Sequence, residues 1–504
     1  MKPIADTGGG RPLSHQVAAA GSLAVLGKFA ARLIDLALLA ALSRLLTPAD
    51  FGLVALAMTA VLISESITQT PFGQITLGVA DPQASHFDTT FTLSALRGAV
   101  LAALLAVAAW GMARVYHDAR LQPLVTTLSL APILRGLYNP RMIIFARVMD
   151  FRRDVALELA GKAVAFLVSG ALALATRSYW AIAAATIATP LTSTALSYVL
   201  APYRPRFSLA HWRLYRGFLS WNTLAQLARA LSWQADRLIL GRFLPRAQLG
   251  GYAMASDLSG VALQAVATPL EGPVYAAYAA HRRAGADLAE AHLKAANATL
   301  ALVGPALVGL SMLAAPLVAL LLGPKWTETA ALLGWLPLAY LANLPVFHLG
   351  GLAIILDRQR IHAERVLIEA ALLLPAMAAG AMIAGVWGVV AARLGASVVM
   401  LIVGFALVRR LIGVSVVRQF AALRRSLAAL LVLAAALGGL SPAISYAGTP
   451  ALAASTFGVG LVGAGAYVAT LFALWVAEGR PPGVERLAAE RLAARLRRRE
   501  RRAA

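Results

Sequence analysis

Apolar residues in this chain do not alternate with polar ones. They run in blocks of about twenty residues, separated by short polar or charged connections. Blocks of that length cross about 30 Å of hydrocarbon as helices. A spanning segment must satisfy its own backbone hydrogen bonds, which leaves helices or a closed barrel. Strand-like alternation is missing, so the pattern predicts helices. Fourteen spans are counted, over 18–43, 51–75, 88–113, 121–145, 154–176, 179–201, 214–241, 249–277, 294–322, 331–356, 363–384, 386–408, 426–446 and 452–477.

The blocks repeat. SRLLTPADFGLVALA, Ser43–Ala57, closes the first span and opens the second, and GRFLPRAQLGGYAMA, Gly241–Ala255, returns at a constant offset of 198 positions. Arg44 then falls on Arg242, Leu46 on Leu244, Gly52 on Gly250 and Ala57 on Ala255, and the register extends to Thr70-Pro71 and Thr268-Pro269. Six spans per repeat is an even number, so both halves enter from one side of the membrane. A second echo, Tyr179-Trp180-Ala181 against Val386-Trp387-Gly388, opens spans six and twelve. The expected fold is an all-α integral membrane protein of 14 transmembrane helices. Two six-helix lobes in parallel repeat surround a central cavity, and two appended helices follow. The expected domains are a cytoplasmic N-terminus (1–17), a first lobe (18–203), a second lobe (214–410), the last two spans (426–477) and a basic cytoplasmic tail (478–504).

Composition agrees. Of 504 residues 60% are hydrophobic and 13% charged, with mean hydropathy +0.72, whereas soluble domains carry about 25% charged residues. Cysteine is absent, which excludes a disulfide framework and thiolate metal sites. No cleaved signal peptide is read in MKPIADTGGGRPLSHQ. The net charge of +22 has no nucleic-acid-binding motif beside it, so nucleic acid is not an expected partner. The arginines instead follow topology: even-numbered connections after the first are arginine-rich and odd ones poor, which places both termini in the cytoplasm by the positive-inside rule. The tail Gly483–Ala504 reads either as a basic amphipathic helix, with Leu487, Leu492 and Leu496 on one face, or as a solvated tail.

Charges inside spans are costly and usually face the bundle interior. Arg32 and Asp35 lie in span one, Glu65 in span two, Arg97 in span three and Arg135 in span four. Glu158 and Lys162 stand four apart in span five; Arg229, Asp236 and Arg237 lie in span seven, Asp257 in eight, Glu369 in eleven and Arg393 in twelve. Two readings stand. One pairs these groups between helices or lets them snorkel to the interface, which suits Arg97, Lys162, Lys294 and Arg393 near span ends. The other has Arg32 and Arg229, at matching depth in the two repeats, face a cavity and bind an anionic head group with Arg135. Asp35, Glu65, Asp236, Asp257 and Glu369 are the candidate cavity or coupling acids. No HExxH, GxSxG, Walker A or CxxC motif is present, so no catalytic residue, cofactor or metal is expected and the chain is not expected to be an enzyme.

The run RLLTPADFGLVALA after span one, and ADRLILGRFLPRAQLGGYAMA from Ala235 through Asp236–Ala255, resemble the polysaccharide-export flippases of the WzxC type, in the multidrug/oligosaccharidyl-lipid/polysaccharide superfamily. The resemblance implies movement of undecaprenyl-pyrophosphate-linked glycan repeat units across the bacterial inner membrane, by alternating access, for exopolysaccharide or lipopolysaccharide biosynthesis. It implies lipid-linked oligosaccharide and membrane lipids as partners, with glycan polymerase and export machinery as further ones. Two alternatives remain: a drug/cation antiporter of the same superfamily, which needs unpaired cavity acids, and a polytopic glycan polymerase or ligase, which needs a large outer loop that this chain lacks.

Overall fold

A computed structural model describes residues 13–67, 75–76, 79, 81–148, 150–215, 234–481, 483, 485–486 and 489–490, and among these the secondary structure is entirely helical. Nine helices among the described residues are long and apolar enough to cross a membrane. The chain forms two compact units, Met1–Gly250 and Gly251–Ala504. Their boundary falls after Gly250, later than the 204–213 connection at which the repeat divides the sequence.

The first unit contains α1 (Leu13–Leu45), α2 (Pro48–Ile67), α3 (Ala84–Val115), α4 (Leu121–Leu128), α5 (Leu130–Gly136), α6 (Ile143–Arg147), α7 (Arg152–Thr176), α8 (Trp180–Leu200) and α9 over 234–243. The expected span 121–145 is broken rather than continuous. Pro132 has no N–H for the carbonyl of Leu128, and the helix parts at Ser129, whose hydroxyl donates to Thr126 O at 2.7 Å. A second break at Asn139-Pro140 is capped by the Asn139 side chain, which accepts from Arg141 N and donates to Ser197 O and Ala201 O. Most of span 214–241 lies outside the described residues.

In sequence order there follow α10 (Arg246–Ala262), α11 (Thr268–Arg283), α12 (Leu288–Met312), α13 (Ala314–Leu321), α14 (Thr327–Asn343), α15 (Leu349–Ile355), α16 (Gln359–Ile412), α17 (Val416–Leu440) and α18 (Thr449–Ala477). A π-helical turn, Leu263–Ala267, joins α10 to α11 and accommodates the missing donor of Pro269. The second unit has its core along α12, where Leu300, Val303, Leu307 and Val308 are buried among Leu423, Leu430, Leu433 and Leu437 of α17.

The 54 residues of α16 contain both expected spans eleven and twelve. The helix bends at Ala384 and Gly385, and Gly385 has φ 58°. A Cβ on Gly380 would overlap the carbonyl of Gly388, and one on Gly388 that of Gly380. Residues eight apart in a straight helix stand about 12 Å apart along its axis, so the chain reverses there with glycine backbones in contact.

The helix expected from 426 starts at Val416. Ser415 accepts from Arg418 N at 3.3 Å as its N-cap, so Arg418, Arg424 and Arg425 lie on α17 and not in a loop.

Candidate functional site

The repeated motif is a helix-start device. Thr47 is the N-cap of α2, with Pro48 in the first helical turn. Asp50 accepts from Thr47 N at 3.0 Å and Thr47 Oγ1 at 2.6 Å, while Asp50 N donates back to Thr47 Oγ1 at 3.2 Å. That is a reciprocal capping box, and it gives T-P-x-D a structural reason. The second copy replaces Pro48 by Arg246. Its guanidinium donates to Gly241 O and Tyr116 O, each at 2.8 Å, and to Asp118 Oδ2 at 3.3 Å. Tyr116 hydroxyl donates to Leu238 O at 3.0 Å. This clasp supplies donors to carbonyls near the ends of α3 and α9. Burial pushes the Asp118 carboxyl upward. The hydrogen bonds and charge of Arg120, with the bond from Arg246, outweigh it and hold the carboxyl below its usual range.

Two further groups of charged side chains lie on the helices of the first unit. On α1, Arg32 and Asp35 are one turn apart, with Arg32 Nη1 4.0 Å from Asp35 Oδ2. Lys162 of α7 reaches Asp35 Oδ1 at 2.6 Å. Close packing makes this reach feasible. Gly27 of α1 faces Val155 of α7 with no room for a Cβ, and Ala31 is buried. Lys162 therefore meets Asp35 rather than Glu158 one turn away on its own helix, as the spacing of four had suggested. The trio carries one excess positive charge, and the Arg32 side chain is 56% exposed although it lies well inside a 33-residue helix. The second group pairs Arg135, in the last turn of α5, with Glu65 near the end of α2.

The remaining expected residues are placed as follows. Asp236 is buried on α9, with Oδ1 accepting from Arg237 N at 2.7 Å. Asp257 is on α10 and exposed. Glu369 lies one turn from Arg365 on α16 at 3.8 Å. Arg229 lies outside the described residues. Lys162, which depth alone assigns to the interface, instead pairs with Asp35 between helices; its spacing from Glu158 is the signal that it needs an acid. Arg393, likewise assigned to a span end, donates to the hydroxyls of Tyr252 at 3.1 Å and Tyr340 at 3.0 Å inside the second unit.

Acids and cations interleaved within apolar helices are costly there and mark places where polar groups are held inside the helical bundle. A family profile described as polysaccharide biosynthesis protein matches residues 41–331. The chain belongs to this family.

As a member of the polysaccharide biosynthesis protein family, it resembles the succinoglycan biosynthesis transport protein ExoT of Rhizobium meliloti (strain 1021), at 23% identity over 322 residues, 63% of this chain. The match spans 64% of that relative's length. Lipopolysaccharide biosynthesis protein WzxC of Escherichia coli (strain K12) is 22% identical over 358 residues, covering 69% of this chain and 72% of the relative. Among solved structures, the lipid II flippase MurJ in its inward closed conformation superposes with TM-score 0.66 at 11% identity, covering 90% of this chain and 99% of that one. An inward-facing multidrug resistance MATE family transporter of the MOP superfamily gives 0.59 at 15% identity, over 78% and 96%. At these identities the structures establish the fold alone: that of a multi-pass, all-helical membrane protein. The resemblance read from residues 43–57 and 236–255 is borne out.

Proposed function

We propose that this protein is a flippase for lipid-linked oligosaccharide. In this reading it carries polyprenyl-pyrophosphate-linked glycan units across the bacterial inner membrane by alternating access, with both termini in the cytoplasm. It acts as a transporter and catalyses no bond cleavage. The observation that carries the reading is the Arg32–Asp35–Lys162 trio, a net cation on apolar helices of a polysaccharide biosynthesis family member. A guanidinium offers two parallel N–H donors to phosphate oxygens and stays charged when partly desolvated. Asp35 would hold both cations in place between cargoes and give them up when pyrophosphate arrives. Arg135 would play the same part with Glu65 as its resting partner, and Arg229 remains in the proposal as the second lobe's counterpart of Arg32. A polymerase and export machinery would take the glycan onward.

The antiporter reading needs acids available to a cationic drug. Glu65 is paired with Arg135 and Glu369 lies beside Arg365, which favours the flippase. The test is glycan export in cells carrying Arg32→Ala or Arg229→Ala at unchanged protein levels. Export should fall at least tenfold; export at the wild-type rate would remove these residues from the mechanism. Drug resistance lost on neutralising Glu65, Asp257 or Glu369 would favour the antiporter.

A further inference from the structure

We propose that the second unit holds a binding site for an anionic phospholipid at the end of α16, independent of the translocation path. A cavity of about 440 Å³ opens there, lined by Asp357, Arg358, Arg360, Ile361, Glu364 and Arg410. It brings together the first turns of α16 and its last turn.

Both carboxylates in the cavity are already committed. Asp357 follows α15 in a left-handed conformation, φ 56°, and Arg282 from α11 donates to its Oδ2 at 2.8 Å and to Ile355 O. Glu364 accepts from Arg360 Nε at 2.9 Å. Arg358 and Arg410 make no side-chain hydrogen bond or ion pair among the described residues. With Arg282 counted, four guanidiniums face two carboxylates, and the two unspent cations line the opening. Such a pair matches a phosphate, which accepts from guanidinium forks.

The surroundings identify the rest of the ligand. Arg360, Glu364, Leu367 and Ile368 share one face of α16, at spacings of four, seven and eight, and Leu367 and Ile368 are 68% and 45% exposed. At the other end Arg410, Ile402 and Val399 share a face, and Ile402 and Val399 are likewise exposed. Apolar stripes therefore run away from the cationic pocket along both arms of α16. A soluble phosphate would use the pocket and ignore the stripes. A phospholipid uses both: its phosphate sits between Arg358 and Arg410, and its acyl chains lie on Leu367, Ile368, Ile402 and Val399.

Native mass spectrometry of the full-length chain in detergent, titrated with phosphatidylglycerol or phosphatidylcholine, tests this. Phosphatidylglycerol should bind preferentially, and Arg358→Gln with Arg410→Gln should weaken it by about 25-fold, about fivefold for each arginine. Phosphatidylcholine binding should not change. The pair Arg358→Lys and Arg410→Lys keeps the charge and should retain the preference, which separates a lost site from a misfolded chain. The control pair Arg418→Gln and Arg480→Gln should bind like the wild type. The proposal fails if phosphatidylglycerol shows no preference, if the Gln pair binds as the wild type does, or if the control pair loses as much. Capture of undecaprenyl phosphate with phosphatidylglycerol excluded would equally overturn it. Export defects from Arg32→Ala leave this site untouched, so the two proposals stand or fall apart.

Discussion

Gly52 and Gly250, equivalent positions of the internal repeat, meet backbone to backbone. A Cβ built on Gly52 would overlap the carbonyl oxygen of Arg246, and one on Gly250 that of Pro48. Pro48 and Arg246 are themselves equivalent, so the contact is reciprocal, as a local two-fold relation requires. Only glycine permits such an approach of two helix starts.

Gly52→Ala and Gly250→Ala should each destabilise the protein by about 1–3 kcal/mol, the usual cost of forcing extra volume into a packed contact. The double variant should cost less than the sum, because the first substitution already separates the helices. Thermal unfolding in detergent checks both; full stability in either single variant would contradict the contact.

The clasp at Asp118 has a pH dependence with a definite sign. Its carboxyl is held below the ordinary value of 3.8 in the folded protein. The stabilisation it provides is thus fully present above 3.8 and is lost as pH falls through the lower folded value. Asp118→Asn should remove that part of the acid dependence. Melting curves of both proteins between neutral pH and about pH 3 should converge at the acid end, and a constant gap would refute the assignment.

Asp35→Asn removes the carboxylate charge that Lys162 meets at 2.6 Å. With the partners about one-third exposed, the loss should be about 1–2 kcal/mol, short of a fully buried pair. Exchanging the charges, Asp35→Lys with Lys162→Asp, should recover part of it. A double variant no better than the worse single one would dissolve the pair.

Arg177 ends α7 with φ 47°, a left-handed conformation that side chains tolerate poorly. Arg177→Gly should therefore raise stability by up to about 1 kcal/mol. A fall in melting temperature would mean that the arginine side chain contributes more than its backbone costs.

The sequence made the helices, their repeat and their family legible, because each leaves a periodic or local mark. T-P-x-D announces a helix start in any context, and apolar blocks announce spans. Partner choice was not legible. Lys162 had an acid four residues away yet bonds to one on α1, since Gly27 lets the helices approach and spacing along one helix says nothing of its neighbour. Arg393 was judged by its depth, but two tyrosine hydroxyls decide its place. The start of α17 was missed because its first turns are arginine-rich, and a loop and a helix rim exposed to water share that composition.

The reversal of α16 at Ala384–Gly385 spends no residues on a connecting loop. The two arms are joined directly and touch at once, Gly380 against Gly388. An epitope tag or protease site spliced in at this elbow would pry apart Gly380 and Gly388, whereas the segment 445–448, which already lies outside helix, can take such an insertion at little cost.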